Sequence, residues 1–289
     1  MLTGILLTLA AATCFECSYV LQALEVRAVP AMARASVTGL RRLAARPVWL
    51  ASIALSVAGF GLQVLALRHA PLSLVQPLLA TGLLGLLAFS ATVLDEPVGR
   101  REVGAVVAIV AGVTLIALAD PQRGENAPPG LAFVLVAIAL GAVAAAAFVL
   151  RKPGATALLA GAIAADVLAT LAAAQAARAL PDALPTAAWC ALAAAGGIAA
   201  VAAESAVLQR RGAARVAPIV LAGQVALPVA LAPLVIGERW GTGGLLVCGL
   251  ALVIAGSATL AASGGVSRFR FDQPDHEVGG LREVGDRAV

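Results

Sequence analysis

The sequence predicts an all-α membrane protein of nine transmembrane helices arranged as two inverted-topology repeats, and three observations carry that expectation. The first is composition: 61% of the 289 residues are hydrophobic and 12% are charged, with a mean hydropathy of +0.96. A soluble domain carries about 25% charged residues, so this chain lacks the polar groups to cover a surface facing water. The second is internal repetition. PLLATG from Pro77 recurs as PIVLAG from Pro218; Asp95-Glu96-Pro97 and then VAGVTL from Val110 follow the first copy, Gly237-Glu238-Arg239 and then IAGSAT from Ile254 the second. The offsets are 141 residues at the prolines, 142 at the glutamates and 144 at Gly112 and Gly256. The third is charge. Alternate connections hold fourteen Lys and Arg residues in one set (Arg27 to Arg46, Arg100 and Arg101, Arg151 and Lys152, Arg210 to Arg215, Arg268 and Arg270), against Arg68, Arg123, Arg178 and Arg239 in the other. The basic set belongs in the cytoplasm. The expected location is the plasma (inner) membrane, with the N-terminus outside and the C-terminus inside.

Nine apolar runs are long enough to cross a hydrocarbon core of about 30 Å at 1.5 Å per residue. They cover 2–24, 48–67, 70–94, 103–119, 130–150, 154–177, 186–208, 214–236 and 240–262. The connection from Glu25 to Pro47 is too rich in arginine to span; a short tenth helix between 28 and 46 would restore the symmetry of the halves, but Arg34, Arg41 and Arg42 oppose it. The polar, proline-containing stretch after Asp120 divides the chain into a four-helix repeat (1–120), a loop (121–129) and a five-helix repeat (130–262). Residues 263–289 turn polar and mixed in charge, the composition of a disordered cytoplasmic tail. The segment with Pro77 runs outside to inside and that with Pro218 inside to outside, so the copies are inverted. Segment 1 then pairs with segment 6.

The four-plus-five helix plan, the turn APLSLVQPL at Ala70, the terminal acidic triplets and the glycine-containing last helix of each half resemble the drug/metabolite transporter (EamA-like) superfamily, over about residues 2–262. The basic first loop and the SLVQPL-type motif make the chain most similar to the nine-helix NIPA-like magnesium transporter branch. The resemblance implies a secondary transporter moving a small solute or metabolite by alternating access, with proton or ion coupling. Magnesium or another divalent cation is the alternative cargo, and a non-transporting membrane subunit the third possibility.

Candidate site residues are polar groups at depth. Glu16 lies about 21 Å along a helix starting at Leu2, and Asp166 is the corresponding acid at the centre of segment 6. An ionisable group there costs a few kcal/mol unless it faces a cavity or a partner. Gln63, Gln76 and Gln224 can donate and accept, as helix glue or as substrate contacts. Gln22 is a fourth amide nearer the cytoplasmic end, with Ser18, Tyr19, Ser73 and Thr81 as weaker hydroxyl candidates. Pro71, Pro77, Pro218, Pro228 and Pro233 mark segments 3 and 8 as the broken pair, and broken helices are tolerated at depth only against protein or a cavity. Pro77, Pro218 and Pro228 are therefore expected to shape the pathway. Glu204 is expected to pair with Arg210 and Arg211, Glu25 to sit at the interface, and Glu96 and Glu238 to act as helix-end caps or loop pairs. Gly82, Gly85, Gly112, Gly223 and Gly256 suit close helix packing.

Other classes are disfavoured. Cys14, Glu16 and Cys17 share a helix face, yet with no histidine nearby they make a poor metal site. No phosphate-binding loop, HExxH or GxSxG motif occurs, so neither an enzyme nor a resident cofactor is expected. The net charge of +4 sits in short loops and signals topology, which excludes a nucleic-acid groove. The expected partners are the lipid bilayer and a small-molecule or ion substrate, with a homodimer left open.

Overall fold

A computed structural model of the chain describes residues 1–27, 46–82, 84–85, 99–124, 130–150, 153–211 and 213–262. Among them are nine helices: α1 (Leu2–Arg27), α2 (Pro47–His69), α3 (Leu72–Leu79), α4 (Arg100–Leu118), α5 (Leu131–Val149), α6 (Ala155–Ala179), α7 (Ala183–Arg211), α8 (Ala213–Ile236) and α9 (Gly243–Ala261). Two short strands, β1 (Pro121–Gln122) and β2 (Arg239–Trp240), pair antiparallel. Six helices, α2, α4, α5, α6, α7 and α9, contain stretches long and apolar enough to cross a membrane. Such a set belongs to a multi-pass membrane protein.

Helix is the necessary form for such a chain, because in hydrocarbon every backbone N–H and C=O must be satisfied within its own segment. Pro47 opens α2 at a position whose N–H would be orphaned in any case. Gly237, with φ of +66°, turns the chain out of α8 in the left-handed conformation that glycine adopts without strain. The outer surface is apolar. Val57, Val107, Ile138, Val149, Leu184 and Ile198 are all exposed, as lipid-facing side chains are.

Helix contacts are made through small residues. A Cβ at Gly112 of α4 would sit 2.6 Å from the Gly249 carbonyl oxygen of α9, and one at Gly256 would sit 2.7 Å from the Ala105 carbonyl oxygen. Residue numbers rise along one helix as they fall along the other, so α4 and α9 cross antiparallel with their backbones touching. On α1, the Ser18 hydroxyl donates to the Ser52 carbonyl of α2 at 2.7 Å and lies 2.6 Å from Ser56 Oγ. Ser18 is thus helix glue. A buried apolar core joins α2, α3, α6 and α8 through Val64, Leu67, Leu72, Val75, Leu171 and Val235.

Two expectations change here. Segments 3 and 8 are not a matched broken pair. The helix of segment 3 stops at Leu79, two residues after Pro77, whereas α8 is continuous through Pro218, Pro228 and Pro233. Proline removes one hydrogen bond in either helix, but in α3 the Thr81 hydroxyl also donates to the Leu78 carbonyl at 2.6 Å, and the Thr81 amide bonds the same oxygen at 3.1 Å. The residue at the corresponding repeat position in α8 is Ala222, which has no hydroxyl to compete for the backbone. The second change is the β1–β2 pairing. It ties Pro121 and Gln122, expected as plain loop, to the residues after α8. The suggested tenth helix at 28–46, Glu96, the polar tail at 263–289 and most of the second half of segment 3 lie outside the described residues. So do the side chains of Tyr19, Gln22, Glu25, Arg210, Arg211 and Pro218.

Candidate functional site

A cavity of about 260 Å³ lies within the bundle. Each wall is one face of one helix, with residues spaced three or four apart as helical geometry requires. Ala12, Phe15 and Glu16 come from α1, Phe60 and Gln63 from α2, and Asp166, Ala169, Thr170 and Ala173 from α6. Gln76 and Leu79 of α3, with Ala80 just beyond it, add a fourth face; Ala193 and Gly197 of α7 and Gln224 and Val225 of α8 complete the wall. Glu16, Gln63, Gln76, Asp166 and Gln224 therefore meet in one space, although they are spread over some two hundred residues of sequence. The alanines and Gly197 leave the volume that larger side chains would fill.

Several wall groups are held by neighbours. The Gln76 amide nitrogen donates to Thr170 Oγ1 at 3.2 Å, linking α3 to α6 across the wall. Gln76 and Gln63 are largely buried, while Glu16, Asp166 and Gln224 are half-buried. Gly82 is buried beneath Glu16: a Cβ there would sit 2.9 Å from both Cγ and Oε1 of the glutamate. It is a seat for the carboxylate as well as a packing residue. Among the described residues, Pro77 and Pro228 do not line the cavity. Ser73 and Thr81 also point elsewhere, Ser73 to the cluster described next and Thr81 to its own backbone.

The second polar cluster closes one end of the bundle, beside the β1–β2 ribbon. Glu238, only 4% exposed, accepts hydrogen bonds from the Leu72 amide through Oε1, and from the Ser73 amide at 3.0 Å and the Ser73 hydroxyl at 2.5 Å through Oε2. The first two are orphan N–H groups of the α3 N-terminus, where a carboxylate also meets the positive end of the helix dipole. Trp240 Nε1 donates to Ser73 Oγ at 3.2 Å. Two arginines of the sparsely charged set satisfy carbonyls at helix ends: Arg178 Nη2 donates to the Ile236 carbonyl at 2.6 Å, and Arg123 to that of Arg68. Glu238 is thus a helix cap, but for a helix 165 residues away.

Burial raises the Glu238 carboxyl above its ordinary value, against the opposing pull of the Ser73 and Leu72 hydrogen bonds and of Arg178. Burial likewise lowers the Arg123 guanidinium, with Glu238 opposing and Arg68 adding to the shift. The folded protein then holds the Glu238 proton more tightly than the unfolded chain does. Its contribution to stability is greatest below the ordinary carboxylate pKa and declines as pH rises through the raised value. We expect the melting temperature in detergent to fall over that window more steeply in the wild type than in Glu238→Gln, measured as the difference between their pH profiles. Parallel profiles would mean that this carboxyl does not titrate differently in the folded state.

Thr170, Phe15 and Phe60 line the wall without being candidates from sequence. Thr170 lies one turn after Asp166, so helical spacing from that acid points to it, whereas Phe15 is adjacent to Glu16 and spacing gives no such signal. Among the described residues, no three His, Cys, Asp or Glu side chains gather as a metal-ligand group. No protein-family model matches the chain, and no curated protein or solved structure does either.

Proposed function

We propose that the chain is a secondary transporter of the inner membrane that carries a small solute or metabolite through this cavity by alternating access, with proton or ion coupling at Glu16 and Asp166. The observation that carries the proposal is the convergence of two ionisable groups and three amides, drawn from both halves of the chain, on one cavity in an otherwise apolar bundle. Ionisable groups at such depth are costly and mark pathways. The inverted-repeat organisation is supported by the α4–α9 crossing. In the sequence repeat Gly112 corresponds to Gly256 and, at the same offset of 144, Ala105 to Gly249. The contact of Gly112 with Gly249 and that of Ala105 with Gly256 are therefore equivalents of each other, and the two helices are antiparallel. A two-fold relation between inverted halves generates such a pair.

Magnesium is the second reading, favoured by the oxygen-rich wall of two carboxylates and three amides. With no group of three acidic or imidazole ligands among the described residues, the ion would keep most of its waters and bind through them. Expression in a magnesium-transport-deficient strain separates the two. Under the organic-solute reading growth is not rescued and cellular magnesium does not change; rescue that depends on Glu16 and Asp166 would replace that reading with the magnesium one.

A further inference from the structure

We propose that Glu238 is the latch of a gate that shuts the ribbon end of the cavity. The inference rests on the transport reading above and adds the residue that controls access to the site. The latch is formed between the halves: Glu238 follows α8, and its partners Leu72 and Ser73 begin α3. Only one helical turn separates Ser73 from Gln76, the first cavity residue of that helix. Capping α3 therefore also positions a cavity wall.

The described residues between cavity and latch are packed against one another. On α2, Ala66, Leu67 and the following Ala70 are buried beyond Gln63; on α6, Ala176 and Ala177 are buried beyond Ala173. At the surface of this plug the ribbon pairs Pro121 with Trp240 and Gln122 with Arg239, and Thr242 donates its amide to the Ala119 carbonyl at 3.0 Å. The Trp240 indole holds the Ser73 hydroxyl against Glu238. These links are polar and few, and they join elements that an alternating-access cycle must separate. Apolar packing beneath them is continuous, so opening also exposes apolar surface, and the polar latch adds to the hold of that packing.

The cavity thus has a closed end with a definable release. Loss of the Glu238 side chain leaves the Leu72 and Ser73 amides uncapped and removes the only described side chain accepting from all three donors. The chain charge pattern assigns this end to the outside of the membrane.

Thiol labelling from that side tests the latch. With Cys14, Cys17, Cys190 and Cys248 replaced by serine, Ala173→Cys supplies a single thiol on the cavity wall. A membrane-impermeant methanethiosulfonate is added outside intact cells. With the latch intact, labelling is slow. Glu238→Ala is expected to accelerate it about ten-fold or more, the population shift corresponding to loss of a charge-assisted hydrogen bond. Ser73→Ala and Trp240→Phe are expected to accelerate it less, by about five-fold or under, as for neutral hydrogen bonds. These two milder variants keep the test alive if Glu238→Ala does not fold. Rates within two-fold of the parent in every folded variant would overturn the latch. The readout requires no substrate, so accelerated labelling in a protein that moves no solute would leave the gate standing and remove the transport reading, while normal flux with unchanged labelling would do the reverse.

Discussion

Glu16→Gln and Asp166→Asn are each expected to lower pH-gradient-driven uptake in proteoliposomes by about ten-fold to a hundred-fold, the loss of one or two charge-assisted contacts, while leaving the fold as stable as the parent or more so. The two halves of that expectation come from the same fact. A charge deep within an apolar bundle costs about 2.5–3.5 kcal/mol on insertion scales, so an isosteric amide relieves a cost without altering packing. Both residues lie on the wall of the same cavity, Glu16 seated on Gly82 and Asp166 one turn before Thr170. If their role is functional, flux falls and melting temperature does not. A structural carboxylate would show the opposite: a lower melting temperature in detergent, with residual flux in proportion to the folded protein. The amide variants should also lose the response of uptake to the pH gradient, because they carry no proton.

The second large effect concerns the fold. Gly249→Leu is expected to destabilise the protein by about 3 kcal/mol or more, the upper range for overpacking. A Cβ at Gly249 falls 2.6 Å from the Gly112 carbonyl oxygen and 2.8 Å from Ile116 Cγ1. The first of these is backbone, which no change of rotamer can move, so α4 and α9 must separate. Gly104→Ala is the matched control: it lies on α4 as well, but nothing stands within 4 Å of its added Cβ. Helix propensity there predicts a neutral change or a gain of up to about 1 kcal/mol. Thermal unfolding in detergent measures both. Equal melting temperatures for the two variants would mean that the backbones of α4 and α9 are not in contact.

What the sequence made legible follows from the physics of each element. Eight of the nine apolar runs place helices within three residues of their observed ends, because hydrocarbon leaves the backbone no alternative, whereas the run at 70–94 gives a helix that stops at Leu79. The cavity residues were legible for a related reason: polar groups are rare and costly at depth, so Glu16, Asp166 and the three glutamines stand out without any knowledge of contacts. The remainder depended on tertiary structure. Glu238 carries a recognisable place in the repeat, yet its partners Leu72 and Ser73 are remote in sequence, and only the fold brings the uncapped start of α3 beside it. The two-residue strands have too few positions to show any period. Proline marked both segment 3 and α8, but whether a helix breaks depended on the competing hydroxyl of Thr81, a local contact that a count of prolines does not register. In the sequence Gly82 signals packing alone, because a glycine carries no chemistry of its own; its place under Glu16 emerges only from the approach of α1.

The most direct test of the transport account is a paired vesicle measurement with wild-type protein and the Glu16→Gln/Asp166→Asn double variant. Both are reconstituted with a trapped pH-sensitive dye and challenged with a panel of small organic solutes and with magnesium, while uptake and internal pH are followed together. The account predicts uptake of at least one solute class by the wild type, accompanied by a change in internal pH, and neither signal from the double variant. Equal uptake by the two proteins, or no uptake by the wild type across the panel, would contradict it.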